Sequence, residues 1–478
     1  MGIPNFHKWI KDKYPDCYAN IEAQTYDNVL IDINCVMHRI LYGNILNENV
    51  LFKRLYLILS SILKTNTPRK RLVLAIDGPP PLAKMLLQRE RRLKLCRDGA
   101  NSQEFAQSVI NPLCFTPGTM FMKSLIERLT AHAESHIKPE YNIEVVVKSG
   151  VGESEFKIIK DILTNRGKSY LVVSTDADII VMISSIMSNK IRNITVNNFS
   201  NLISMDSLIT QHTFRNKMVS NLDFMLLSIM MGNDYLPKLS YVTLDGLWKA
   251  YRMTISKLVK NEFDEASSRL QSSCFQRTGS INFEFMLCFM RNIIASLAKQ
   301  WIGTFHIADY EPDMYKSYLD GLQWCSTVYS GGICDQTLYM YTWRHSPHPF
   351  GLLFYIETNI NMLKCDPINE LEYISINDDI YALLVLPKMA YNLVSDEYIS
   401  RMEKKFEFLY EVEECESCIS IGKEIKEMYK KLKDVAISKQ TPLRKKIGVL
   451  SRKSKEHSDT HKNISLEQIR DIINYLSQ

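Results

Sequence analysis

Seven acidic residues stand at the ends of apolar runs in this sequence: Asp32, Asp77, Glu153, Glu155, Asp176, Asp178 and Asp234. They come from five separate segments, each placing its acid where a strand should stop or a helix should start or end. Carboxylates gathered from so many places repel one another, and such a set is tolerated only if protons or cations neutralise it. Hard divalent cations such as Mg2+ take oxygen ligands. The residue types therefore predict a metal-dependent site for phosphate chemistry.

A second group could bind the phosphate itself. Asp77-Gly78 is followed by Pro79-Pro80-Pro81, and proline opens helices well, so a helix is expected to begin near Pro81. On it Lys84, Gln88, Arg91 and Arg92 fall on one face, with Leu82, Leu86 and Leu93 almost opposite. A solvated basic face is the plainer reading. The position directly after Asp77 favours a phosphate pocket built from point charge, amide and planar forks. Gly150 to Lys157 reads as a glycine turn into a helix, where Glu153 and Glu155 would also suit the helix dipole. Asp176-Ala177-Asp178 could be an ordinary turn, and Gly232-Asn233-Asp234 a helix C-cap. Each plain reading is sound alone; all of them in this order point to one site.

The elements that must position these residues form a pattern. Val29-Leu30-Ile31, Leu72 to Ile76, Val145-Val146-Val147 and Tyr170 to Ser174 are short continuous apolar runs, as in buried strands. Helical stretches lie between them, so an α/β fold with a mostly parallel sheet covered on both faces is predicted. Ligands of open α/β sheets sit beyond the carboxyl ends of the strands, where the acids are. The chain turns polar from Leu258 to Ile281 (Ser267-Ser268, Ser272-Ser273), a boundary signal. A helix is expected over Phe283 to Ala298, then an aromatic-rich stretch from Trp324 to Phe354. The division read from this is 1–257, an N-terminal domain that carries the acids; 258–437, a helical and aromatic second region; and 438–478, a basic polar tail with one short helix at Leu466–Leu476.

At 478 residues, two or three domains are the prior. The net charge of +5 is too mild to argue for nucleic acid by itself. The Met1–Ile10 segment lacks the apolar core of a signal peptide, no run approaches a membrane span, and Phe6 stands where a myristoylation motif on Gly2 wants Ser or Thr. An intracellular protein without membrane contact is the expectation. The eleven cysteines read as buried reduced thiols. Cys415-x-x-Cys418 has no second ligand pair nearby in sequence, so a zinc site is not predicted. Arg444-Lys445-Lys446 and Arg452-Lys453-Ser454-Lys455 read as a solvated, partly disordered tail rather than a nuclear signal or a nucleic-acid arm.

Together these residues resemble the XRN family of 5′→3′ exoribonucleases. The similarity is carried by Met1-Gly2-Ile3-Pro4-Asn5-Phe6 with Trp9-Ile10 and Tyr14-Pro15, Leu30-Ile31-Asp32-Ile33-Asn34 with His38, Asp77-Gly78 with Ala83-Lys84-Met85, Gln88-Arg89 and Arg91-Arg92, and Thr116-Pro117-Gly118-Thr119. Gly152-Glu153, Glu155, Lys157, Asp176-Ala177-Asp178, Gly232 to Pro237 and Gly321-Leu322-Gln323-Trp324 complete it, over roughly residues 1–355. Ser154 and Phe156 replace a Gly and a His usual in that family. The resemblance implies a flap-nuclease-like (PIN-like) mixed sheet flanked by helices with a mainly helical C-terminal region. It also implies two Mg2+ ions, replaceable by Mn2+, roughly 3.5–4 Å apart on the seven acids. Lys84 and Lys157 would stabilise phosphate charge, and Lys84, Gln88, Arg91 and Arg92 would hold a 5′-monophosphate, with no room for a cap or triphosphate. His38 would stack on the first bases with Tyr341 or Tyr339, reading π-faces and not sequence.

The expected activity is processive degradation of single-stranded, decapped RNA to mononucleotides. The expected protein is a monomer, in the cytoplasm with the nucleus as alternative, acting downstream of decapping enzymes. It would be a catalytic core without the accessory domains of large members, as a compact viral genome would encode. Two other functions compete. A flap endonuclease acting on DNA would carry a Gly-x-Gly hairpin soon after its last Asp, whereas Pro237 to Thr243 is followed by no glycine until Gly246. An inactive RNA-binding scaffold would have lost acids, and all seven are present.

Overall fold

The computed structural model describes the chain except residues 1–2, 42–46, 100–109, 189, 217–219, 260–272, 277–278, 298–304, 308–309, 332–338, 344–345, 364–375, 398, 400–405, 407–408, 410–414, 434–439, 459–464 and 478. Gly2, Ser267-Ser268, Ser272 and most of the polar boundary segment thus lie outside the described residues, as do Ala298 and Leu338.

Seven strands form one mixed sheet in the order β1-β7-β6-β5-β2-β3-β4. They are β1 (Tyr18–Ala19), β2 (Gln24–Asp32), β3 (Asn66–Ala75), β4 (Glu144–Lys148), β5 (Tyr170–Val173), β6 (Ile194–Asn197) and β7 (Leu202–Ser204). β6-β5-β2-β3-β4 run parallel, and β7 and β1 are antiparallel at one edge. β2 is buried without a break from Tyr26 to Asp32, which a strand covered on both faces requires. The register levels the carboxyl ends: Asp32 lies beside Ala75, Ala75 beside Lys148, and Ile31 beside Val173. All four predicted strands are present. β1, β6 and β7 were not predicted; β1 and β7 have two and three residues, too few for a period to show.

The chain divides into two compact units. The first is Met1–Arg39, Arg54–Lys84 and Ile126–Ile374; the second is Ile40–Lys53, Met85–Leu125 and Ser375–Gln478. These do not follow the linear division at 257 and 437 read from composition. The first unit continues past residue 258 because Leu322, Trp324, Cys325 and Tyr329 of the helix Pro312–Gly331 share one apolar core with Ile179, Phe224 and Leu236. The predicted helix after the boundary is observed as Phe283–Ser296.

In the second unit, the helix Met85–Gly99 sends the Arg89 guanidinium to the carbonyls of Leu384, at 2.9 Å, and Leu409. Lys123 pairs with Asp379 at 2.8 Å. The stretch read as a tail is folded here. It contains the helices Thr441–Ser458 and Leu466–Leu476, the second opened by a Ser465/Gln468 capping box. Ile469, Ile472, Ile473 and Leu476 recur at helical spacing and are buried, and Tyr475 meets the Phe406 ring edge-on. Among the described residues no helix is long and apolar enough to cross a membrane.

Candidate active site

All seven acids belong to the first unit; four adjacent parallel strands lead to six of them at one end of the sheet, and Asp234 follows a helix. Asp32 is the last residue of β2. Its Oδ1 accepts the Cys35 N–H at 3.0 Å and its Oδ2 the Ser174 hydroxyl at 3.1 Å. Asp77 follows β3. Its own N–H donates to Asn34 Oδ1 at 3.0 Å, and its Oδ1 accepts the Ser154 N–H at 2.8 Å, at the start of the helix Ser154–Thr164. Gly78 permits this approach, because a Cβ there would fall 1.7 Å from the Gly150 carbonyl oxygen. Two backbone bonds of 2.9 Å, Gly78 N–H to Gly152 O and Gly152 N–H to Pro79 O, hold the segments together.

Glu153 is the N-cap residue of that same helix. Asp176 caps the helix Ala177–Ile186, accepting the Asp178 N–H at 3.0 Å, so the segment expected as a possible turn is a helix start. Asp178 accepts the Ile3 N–H at 3.2 Å and the Tyr329 hydroxyl at 2.9 Å. Asp234 leaves the helix Asn221–Ile229 through Gly232, whose φ of +87° an L side chain rarely adopts. Asn233 pins that turn by accepting the N–H groups of Tyr235 and Leu236 at 2.9 and 2.8 Å.

The cluster is electrostatically costly. Burial, then the neighbouring Asp77, raises the Asp32 carboxyl to about 7. Burial, then Asp32, Asp176, Asp77 and Glu153, holds Glu155 well above the carboxylate range. Burial, then Asp176 and Asp234, does the same to Asp178, against the lowering bond from Tyr329. Burial also raises Glu153, opposed by Lys84. The Lys84 ammonium bridges Glu153 and Asp234, the latter at 2.8 Å. Burial alone would discharge this amine, but the surrounding acids hold its pKa well above the usual lysine value. A buried cation is thus already built into the cluster. The donors of the seven acids are all carboxylate oxygens, a type that suits hard divalent cations.

Lys84 lies in the 3-10 turn Leu82–Lys84, and the α-helix starts only at Met85. The helical wheel drawn from Lys84 does not hold across that change, since a 3-10 turn advances fewer residues per turn. Lys84 belongs to the first unit and Gln88, Arg91 and Arg92 to the second. There Arg92 Nε donates to Thr116 Oγ1 at 3.1 Å, and the buried Gln88 Oε1 has no hydrogen-bond partner. Lys157 is buried and donates to the backbone carbonyls of Ile76 and Gly150, the latter at 2.7 Å. His38 is exposed on the helix Ile33–Leu41. Tyr341 is half-buried, edge-on to Tyr318 at 6.4 Å. Tyr339 is buried and stacked on Trp324 at 5.1 Å.

Several site residues were missed in the sequence. Tyr235 donates to Glu153. Tyr329 donates to Asp178 and accepts from Asn233 Nδ2 at 3.1 Å. Ser174 holds Asp32. The His7 imidazole sits on the Thr175 carbonyl at 3.0 Å, and burial lowers its pKa. Polar side chains within apolar or loop segments carry no periodic signal, and only the acids they serve were visible.

Residues 1–196 match the family profile described as XRN 5'-3' exonuclease N-terminus. Over this stretch the chain is similar to the XRN family. The match spans six of the seven acids, Asp32 to Asp178, and the segment from Lys84 to Arg92. The chain is 28% identical over 211 residues to 5'-3' exoribonuclease 1 of Schizosaccharomyces pombe, covering 38% of this chain and 16% of that protein. It is 26% identical over 213 residues to 5'-3' exoribonuclease 1 of Homo sapiens, covering 38% and 12%. The chain thus spans less than a fifth of either relative. Among solved structures, the catalytic core of Rad2 in complex with a DNA substrate matches at 12% identity and a TM-score of 0.36, over 76% of this chain and 97% of that one, a likeness too low to transfer a function.

Proposed function

We propose that this protein is a metal-dependent 5′→3′ exoribonuclease that hydrolyses single-stranded, 5′-monophosphorylated RNA processively to mononucleotides. The observation that carries the reading is the set of seven carboxylates, six of them beyond the carboxyl ends of four parallel strands, with several raised above the usual carboxylate range by burial and mutual repulsion. The XRN match over residues 1–196 supports the direction of attack and RNA as substrate. In this reading the seven acids hold divalent cations, Mg2+ by the hardness of the donors. When bound, the cations supply Lewis acidity at the scissile phosphate.

The protein's own groups prepare that site. Asp77, fixed by Asn34 and the Ser154 N–H, and Asp32, fixed by Ser174 and Cys35, present preset oxygens. Lys84 neutralises Glu153 and Asp234 until cations load. Lys157 is a positioning residue, tying the end of β3 to the Gly150 turn through Ile76 and Gly150. Arg91, Arg92 and Gln88 recognise the 5′-phosphate, and His38 and Tyr341 offer rings to bases.

The deciding experiment presents 5′-phosphate, 5′-hydroxyl, triphosphate and capped RNA, and 5′-phosphate DNA, with Mg2+ and with EDTA. Mononucleotide release from 5′-phosphate RNA alone, stopped by EDTA, is expected. Equal cutting of all 5′ ends, or internal cutting of branched DNA, would replace this reading with an endonuclease.

A further inference from the structure

A second ligand cluster lies in the second unit. Cys415 immediately precedes the helix Glu416–Lys433 and Cys418 lies in its first turn. His457 lies in the last turn of the helix Thr441–Ser458. One ligand atom from each of the three lies within 4.8 Å of the other two, and Cys415 Sγ is 3.3 Å from His457 Nε2. The start of one helix therefore meets the end of the other, at the end of an antiparallel pair away from its connection.

We propose that Cys415, Cys418 and His457 bind one Zn2+ ion that clips the two helices together. Tetrahedral zinc with Zn–S near 2.3 Å and Zn–N near 2.0–2.1 Å places a sulfur and a nitrogen ligand about 3.5 Å apart and two sulfurs about 3.8 Å apart, and Cys415 and His457, at 3.3 Å, need only a few tenths of an ångström of adjustment to reach that separation. The donors are two sulfurs and one imidazole nitrogen, a soft set that suits zinc and not the hard cation expected at the carboxylates. Cys418 is buried and Cys415 and His457 are half-buried, so a bound ion is shielded without being sealed off. The N-terminal end of the helix Glu416–Lys433 favours negative charge, and so favours thiolates there. Binding forms two Zn–S bonds and one Zn–N bond. The two thiol protons go to solvent and no electrons are exchanged. The fourth position is left to water or a further side chain. A plain S–H···N hydrogen bond would also span 3.3 Å, and a Cys415–Cys418 disulfide would use the same thiols.

The test is metal analysis of the full chain purified without chelator. About one zinc per chain is expected, retained in Cys415-, Cys418- and His457-intact Asp178→Ala protein, which places it away from the carboxylates. It should be lost in Cys418→Ser and in His457→Gln. Replacement by Co2+ in the wild-type chain should give a thiolate-to-cobalt charge-transfer band, a readout that survives if a variant fails to fold. Zinc removal should lower the Tm by roughly 5 °C or more. Wild-type protein with no zinc, no Co2+ band on titration, and either two freely titrating thiols or a disulfide would overturn the proposal, as would zinc retained in both variants.

Discussion

A single carboxylate here is defined by what its neighbours do to its proton. Asp178 accepts from the Ile3 N–H and the Tyr329 hydroxyl, so its oxygens are placed before any cation arrives. Asp178→Ala should lower hydrolysis by more than about 100-fold, since even indirect partners of a metal cost 10–100-fold, while filter binding of RNA changes little. Undiminished Mg2+-dependent hydrolysis would remove Asp178 from the ligand set. Asp32 offers a test in pH. Its folded carboxyl, at about 7, lies above its ordinary value of 3.8. A raised carboxyl favours the folded state below the ordinary value, and that contribution is lost as pH rises towards 7. In metal-free protein, Asp32→Asn should therefore gain Tm relative to wild type progressively between pH 4 and pH 7.5. Scanning calorimetry in EDTA that shows a pH-independent difference would contradict the burial of this charge.

At the scale of elements, the joints between strand and helix matter most. Gly78 fits only because a side chain is missing, since Gly78→Ala sets a Cβ 1.7 Å from a carbonyl, and Gly150 and Gly152 hold φ of +83° and +95°, which L side chains rarely adopt. About 3 kcal/mol or more of stability should be lost, as at other sites where backbone cannot yield. Urea unfolding would measure it, and a loss under 1 kcal/mol would mean the turn can move. These joints were legible where runs are continuous: Val29-Leu30-Ile31 into Asp32, and Leu72 to Ile76 into Asp77. Legibility failed at Lys84, where a 3-10 turn interrupts the helical period. It failed also in the helix Thr441–Ser458, whose buried apolar residues include only Ile447 and Leu450 within a basic stretch. The approach of His457 to Cys415 joins residues far apart in sequence, which no local pattern encodes.

At the scale of the molecule, the compact units are assembled from interleaved stretches, so cutting by sequence should fail. A fragment ending at residue 257 would lose Trp324 and Tyr329 from the core around Phe224 and Leu236. It should lack a fixed near-ultraviolet circular dichroism signal, whereas 1–478 should show one; a native spectrum from 1–257 would show that the later helices merely decorate the core. Composition could not reveal this, because Trp324 to Phe354 reads only as an aromatic-rich stretch until the contacts of Trp324 and Tyr329 are known. Tyr329 touches two acid-bearing segments, donating to Asp178 and accepting from the Asn233 beside Asp234. It lies outside the 196 residues shared with the XRN profile. Tyr329 thus lowers the Asp178 carboxyl, against the burial that raises it, from a segment outside that stretch.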